Sequence, residues 1–525
     1  MLSRIVGCVI LAVSTVAQLS NNTVALDYGT FTGSRNDTTG VINFRGIRYA
    51  DAPVGELRWR APVSPPTESL GNVNATSFPA ACIQARRADG DSDPSDGQDK
   101  KADEKSYSED CLFLNVYVPV GTEVNSSLPV LLFLHGGGFQ RGDPDDAPAD
   151  YLFQSSATPF VFVTIQYRLG AYGYLAGKAL GDKGDFNVGL LDQKAAFLWV
   201  RNYIKNFGGD PSRVTIWGQS GGASAVMFHL LAQDGNNEGL FVGAIADSPP
   251  ISLQADCTGG YHEMVLSEIA QQLNCDTADD LMDCLRAANA SALTDAQAQV
   301  LSIHSDMIYV FQPCIDGLYL TSRIVPALQN NTIAHVPLLF GSNTEEGAHW
   351  SENLPAACAN TTMPNATEDT VYCFTRGQYP GLTRESFDRA LELYPLENYN
   401  NSVDLQGQRM LGELRFICSA VLAGERVPNT YQYHYDNPDV GSEHGDELAA
   451  FFDPPDSSTF YSAMRQYWTS FATGNPPQAD NATSWTDAPN TRMFLHPGNV
   501  SMVNVEADLL ERCNFWRSIH EELST

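Results

Sequence analysis

Three short stretches of the chain are continuous in apolar and β-branched residues: Pro129 to Leu134, Phe160 to Tyr167 and Arg213 to Trp217. A strand that buries one face alternates between apolar and polar residues, whereas a strand buried on both faces does not. Within residues 189–206, between the second and third stretches, Leu191, Ala195, Leu198, Trp199 and Ile204 recur at helical spacing. A helix between two such strands makes a crossover, so the strands run parallel and helices cover the sheet. The expected class is α/β, with a large, mostly parallel central sheet flanked by helices. No internal repeat of fixed period interrupts it.

At 525 residues and 43% hydrophobic content the chain can bury a large core. It has no long polar or Pro-rich linker, so residues 18–525 read as a single domain. Arg4 precedes an apolar run from Ile5 to Val13, followed by small residues from Ser14 to Ala17. This is the pattern of a secretory signal peptide over residues 1–17, and the run is too short to span a bilayer. Later stretches are never apolar for eighteen residues, and the last residues are polar. The expectation is a secreted, extracellular protein without stable membrane insertion.

Cysteine usage agrees with that compartment. Setting Cys8 aside with the signal leaves ten cysteines, with no CxxC spacing of zinc or thioredoxin type, so disulfides are expected. Eleven Asn-x-Ser/Thr sequons are present, and Asn74, Asn125, Asn289 and Asn481 are candidates for N-glycans. The formal net charge of −31 argues against nucleic acid and anionic membranes as partners.

The polar segment from Ala88 to Lys105 opens like a calcium loop, with Asp89, Asp91 and Asp93 alternating. An EF-hand needs glycine where Pro94 stands and a bidentate glutamate where Lys100 stands. The segment is therefore expected to be an exposed loop, and no metal site is assigned.

Chemistry enters at Gly218-Gln219-Ser220-Gly221-Gly222, which follows the third strand. The G-x-S-x-G pattern is weak alone and informative between a strand and a helix, where a strained turn lifts the serine hydroxyl out of the sheet. The N–H after the serine, from Gly221, then faces the oxygen that becomes negative during acyl transfer. His135-Gly136-Gly137-Gly138 follows the first strand, and glycines there can turn further N–H groups to the same point. An orienting acid and a histidine base should follow in that order. Leu338 to Phe340 reads as a strand leading to Glu345 and Glu346. Tyr431 to Tyr435 reads as another, leading to a polar loop with His444.

Phe44 to Ala50, Ser108 to Asn115, His135 to Phe139, Asn187 to Gln193 and Phe207 to Pro211 complete a set of motifs. With them the chain resembles the type-B carboxylesterase/lipase family of α/β-hydrolases, including cholinesterases and secreted fungal esterases, over essentially all of the mature sequence. The resemblance implies Ser220 as nucleophile, Glu346 as acid and His444 as base, with backbone donors at Gly137, Gly138 and Gly221. Glu346 is preferred to Glu345 because the family places its acid immediately before glycine, here Gly347. His434 lies inside a strand pattern, and His349 lies close to the acid, so neither is the expected base. The resemblance also implies disulfides Cys82–Cys111 and Cys275–Cys284, with Cys358–Cys373 a plausible local third. Cys257, Cys314, Cys418 and Cys513 allow three pairings.

Two residues depart from the family pattern, which commonly has glutamate before the serine and alanine after it. Gln219 removes an anion that would attract a cationic ester, and Gly221 keeps its N–H with more backbone freedom. In lipases of the family the loop enclosed by the first disulfide is an amphipathic flap, whereas residues 83–107 carry no apolar stripe. The implied activity is carboxylic-ester hydrolysis through an acyl-enzyme without cofactor, on soluble or aryl and hydroxycinnamoyl (feruloyl-type) esters. A sterol esterase or acylglycerol lipase is the alternative, and a non-catalytic adhesion member of the fold a remote one.

Overall fold

The computed structural model describes residues 22–88, 105–352, 354–453 and 459–525. The expected signal peptide and Asp89, Asp91 and Asp93, with most of their loop, lie outside the described residues.

Eleven strands form the main sheet. In chain order they are β1 (Ser34–Asn36), β2 (Val41–Arg48), β3 (Phe113–Pro119), β4 (Leu128–Leu134), β5 (Val161–Ile165), β6 (Gly209–Gln219), β7 (Gly243–Asp247), β8 (Leu338–Asn343), β9 (Thr430–Tyr435), β10 (Thr491–His496) and β11 (Asn499–Asn504). Across the sheet the order is β11, β10, β9, β8, β7, β6, β4, β5, β3, β2, β1. The stretch from β10 to β5 is parallel throughout. Antiparallel strands complete both edges.

The apolar runs explain themselves in this sheet. Val130, Leu132 and Leu134 of β4 join one core cluster with Val161, Val163 and Ile165 of β5. Leu131 and Phe133 point the other way and pack with Phe162, Trp217, Ile245 and Leu339. Both faces are covered, so every position in the run gains from burial, at roughly 1.5–3 kcal/mol for a large apolar side chain.

Helix α1 (Val188–Tyr203) makes the crossover from β5 to β6 and ends in a 3-10 turn at Ile204–Phe207. Its buried side includes Leu190, Ala195, Phe197 and Trp199, whereas Leu191 and Leu198 of the expected stripe are only half-buried. Helix α2 (Gly221–Gly235) follows β6 and leaves helical geometry at Ala232. Helix α3 (Val403–Gly412) continues through a π-helical turn, Glu413–Ile417, into α4 (Cys418–Arg426), and α5 (Ala507–Ser518) packs near the C-terminus.

Five disulfides tie these parts together. Cys82–Cys111, Cys275–Cys284 and Cys358–Cys373 form as expected, and the open set resolves as Cys257–Cys314 and Cys418–Cys513. Cys418 begins α4 and Cys513 lies within α5, in one shared apolar cluster. Ala81–Cys82 pairs in parallel with Tyr107–Ser108, closing the neck of the first disulfide loop.

Parallel strands point their C-terminal ends to one edge, where open α/β sheets place their sites. The segments that follow β4, β6, β8 and β9 carry His135, Ser220, Glu346 and His444.

Candidate active site

Ser220 sits between β6 and α2 with φ 55° and ψ −124°, a backbone conformation that L-residues rarely adopt. The surrounding contacts hold it there. Its N–H donates to the Asp247 carbonyl at 2.9 Å. A Cβ on Gly222 would lie 2.0 Å from the Leu134 carbonyl oxygen, so only glycine lets α2 start this close to β4.

The loops after β8 and β9 are fastened to each other. Glu345 and Glu443 form an isolated parallel bridge, with the Glu345 N–H donating to Ser442 O at 2.9 Å. The next residue of each loop is Glu346 and His444. His444 Nδ1 is 2.5 Å from Glu346 Oε2, and Nε2 is 2.7 Å from Ser220 Oγ. Glu346 is 1% exposed, and its second oxygen accepts the Asn343 N–H at 2.7 Å. A carboxylate can only accept, so the proton on the imidazole belongs on Nδ1, leaving Nε2 as the acceptor for the serine hydroxyl.

The glycine loop closes the opposite side. Gly137 and Gly138 have φ of +96° and +58°, and a Cβ on Gly221 would fall 2.7 Å from Gly138 N. No acceptor among the described residues takes the Gly137 or Gly138 N–H. His135 steadies the loop: its ring stacks on Tyr167 at 4.3 Å, and the Tyr167 hydroxyl donates to His135 O at 2.7 Å. Burial lowers the His135 pKa to about 4, so this imidazole is neutral.

An aromatic wall packs against His444. The Phe416 ring is 4.3 Å and the Trp350 ring 5.5 Å from that of His444. Trp350 stacks on Phe416 at 5.9 Å and donates from Nε1 to Glu346 O at 2.8 Å. Tyr309 meets Trp350 edge-on at 6.2 Å, and its ring would lie 2.3 Å from a Cβ on Gly138.

Two buried acids stand behind these residues. Asn343 Nδ2 donates to Glu447 Oε2 and to Glu443 O, the latter at 2.6 Å. Burial holds the Glu447 carboxyl well above the usual carboxylate range, which favours its neutral form. Asp247 is pushed up to about 7 by burial, against hydrogen bonds from Trp217, Tyr433 and Trp468.

The structure thus brings together Ser220, Glu346, His444, Gly137, Gly138 and Gly221. It leaves out Glu345, which is exposed; His434, bound within β9 to Thr344 Oγ1 at 2.8 Å; and His349, between Glu352 and Glu443 at 3.1 Å from each. Asn343, Glu447, Asp247, Tyr309, Trp350 and Phe416 escape a sequence reading. Glu447 follows His444 in one polar loop, but nothing local marks it as buried.

Asn74, Asn125, Asn289 and Asn481 are all exposed. Asn289 caps a helix through Oδ1, which accepts the Ala292 N–H at 2.8 Å, and not through the nitrogen that would carry a glycan. Among the described residues no His, Cys, Asp or Glu cluster is placed to hold a metal, and no helix is long and apolar enough to cross a membrane.

The family model described as "Carboxylesterase family" matches residues 20–516. Lipase 2 of Geotrichum candidum is 30% identical over 508 residues, covering 87% of this chain and 88% of its own. Secreted lipase 1 of Botryotinia fuckeliana is 30% identical over 510 residues, covering 89% and 86%. Among solved structures, Aspergillus niger EstA superposes with a TM-score of 0.82 at 28% identity, over 96% of this chain and 99% of its own. The sheet, the elbow and these likenesses agree: the chain belongs to the carboxylesterase family and is an α/β-hydrolase that hydrolyses carboxylic esters.

Proposed function

We propose that Ser220, His444 and Glu346 form the catalytic triad of a secreted esterase acting on soluble esters, including aryl and hydroxycinnamoyl (feruloyl-type) esters. The observation that carries this reading is the unbroken chain from Glu346 Oε2 through His444 to Ser220 Oγ, at 2.5 and 2.7 Å. His444 Nε2 takes the serine proton as Oγ bonds to the ester carbonyl carbon. The N–H groups of Gly137, Gly138 and Gly221 receive the oxyanion; losing one such donor typically costs about 3 kcal/mol of transition-state stabilisation. His444 then gives the proton to the alcohol oxygen as the C–O bond breaks. Water repeats the sequence on the acyl-enzyme and frees the acid.

The rings of Tyr309, Trp350 and Phe416 favour aryl acids, because aromatic faces beside the base offer stacking to a flat acyl group. Relatives carrying the name lipase favour a second reading, an acylglycerol or sterol-ester hydrolase. A panel of methyl ferulate, p-nitrophenyl butyrate, a cholesteryl ester and tributyrin separates them. Preference for the first two supports the proposal; a jump in tributyrin hydrolysis above its solubility limit supports the lipase reading. Five disulfides and the secreted relative support export. The mature protein should begin after Ala17 and lose mass on N-deglycosylation; retention of the leader and an unchanged mass would contradict both.

A further inference from the structure

Arg415 is a buried cation that ester hydrolysis as described leaves without a role. It is 2% exposed and sits in the π-helical turn Glu413–Ile417 between α3 and α4, and such turns recur at functional sites. Three of the other buried arginines have carboxylate partners: Arg58 pairs with Glu109 and Arg168 with Asp192, both at 2.7 Å, and Arg492 pairs with Glu506, while Arg87 and Arg465 donate to backbone carbonyls. Arg415 has no carboxylate in ion-pair reach among the described residues, and its Nε has no hydrogen-bond partner. Glu413, in the same turn, is taken by Arg409 and Arg512.

What surrounds the guanidinium is aromatic and uncharged. Its central carbon lies 5.4 Å from the Tyr309 ring centre and 5.8 Å from that of Phe416. The Tyr379 hydroxyl near it donates to Ile251 O at 2.5 Å and is a neutral phenol, pushed up to about 12 by burial. Ring faces attract a cation but do not neutralise it. Tyr309 packs on Gly138 and Phe416 on His444, so the unpaired charge stands one ring away from the glycine loop and one ring away from the base.

Resting on the assignment of Ser220 as nucleophile, we propose that Arg415 selects esters whose acid portion carries a second, free carboxylate. That carboxylate pairs with the guanidinium while the ester carbonyl lies at Ser220, completing an ion pair that the fold leaves open. The cation belongs to the acid side because it borders the loop that holds the carbonyl through both steps, whereas the alcohol departs after the first. A half-ester of a dicarboxylic acid is the simplest such substrate.

The test compares acid release from monomethyl glutarate, monomethyl adipate, methyl pentanoate and O-pentanoyl glycolate, which carries its carboxylate on the alcohol. The expected result is a kcat/KM for one half-ester roughly tenfold or more above that for methyl pentanoate, a ratio that collapses in Arg415→Met and is partly restored in Arg415→Lys. Because a buried variant can fail to fold, the wild-type enzyme supplies a second readout. Glutarate or adipate should inhibit methyl pentanoate hydrolysis at about one-tenth the concentration that pentanoate requires. Equal rates on half-ester and neutral ester, equal inhibition by the mono- and dicarboxylates, or a preference retained in folded Arg415→Met would overturn the proposal. A preference for O-pentanoyl glycolate would overturn the acid-side assignment. Activity that persists in Ser220→Ala would instead remove the nucleophile reading on which the inference rests.

Discussion

Glu345 and Glu443 face each other across an isolated parallel bridge, and that contact sets the register in which Glu346 meets His444 at 2.5 Å. The carboxylate that reaches His444 is therefore the one a residue beyond the bridge, turned inward, and not its exposed neighbour, and we propose it as the orienting acid. Glu346→Gln should lower kcat by about 10^3 to 10^4, because an amide can stabilise the wrong imidazole tautomer and carries no charge to offset the imidazolium. Glu345→Gln should change kcat less than about twofold. Steady-state kinetics on p-nitrophenyl butyrate checks both, and the reverse ranking would move the acid to Glu345.

Gly138 is enclosed by the Tyr309 ring and has φ of +58°. Gly138→Ala must displace that ring or rotate the N–H that lies beside Gly221. The expected loss in kcat is about 10^2 to 10^3, the size of one lost oxyanion donor. A variant with near-normal kcat would show that the loop has room that the structure denies it.

Asp247 links the elbow to the far core, and its folded pKa of about 7 lies above the ordinary 3.8. Below both values the group is protonated in folded and unfolded chains alike and contributes no pH dependence. Between them the unfolded chain ionises first, so stability falls as pH rises, at up to about 1.4 kcal/mol per pH unit, and levels off above 7. Asp247→Asn lacks this slope. Denaturant unfolding of both proteins from pH 4 to 8 should show the variant gaining on the wild type up to about pH 7; parallel curves would contradict the burial argument.

Cys418–Cys513 closes 95 residues of sequence and Cys275–Cys284 only 9. On loop-entropy grounds the first is worth about 4.7 kcal/mol and the second about 2.6 kcal/mol. Paired Cys→Ala replacements should therefore rank 418/513 as the more destabilising by about 2 kcal/mol in chemical denaturation. The opposite order would place residual structure in the unfolded chain near α5.

Much of this arrangement is legible in the sequence, for a physical reason. Strands buried on both faces leave uninterrupted apolar runs, so β4 and β5 are located to within a residue or two. Sharp turns need glycine, so the Ser220 elbow and the Gly137–Gly138 loop announce themselves. The antiparallel edges are quieter: β11 is half-buried along most of its length and has no strong pattern. The wall around His444 is quieter still. Tyr309, Trp350 and Phe416 come from separate segments, and an aromatic residue reads the same in sequence whether it fills a core or lines a site. Arg415 looks like any helical arginine until its missing partner can be seen. Pairing of Cys418 with Cys513 likewise depends on α4 meeting α5, which spacing alone does not encode.

The account stands most directly on Ser220 as the atom that becomes acylated. Purified protein should be treated with paraoxon and digested, and the adduct located by mass spectrometry alongside residual p-nitrophenyl butyrate hydrolysis. The predicted result is one diethylphosphoryl group per chain on Ser220, activity lost in proportion to labelling, and neither adduct nor activity in Ser220→Ala. An adduct on another residue, or hydrolysis that survives in Ser220→Ala, would contradict the assignment of the nucleophile and with it the mechanism built on His444 and Glu346.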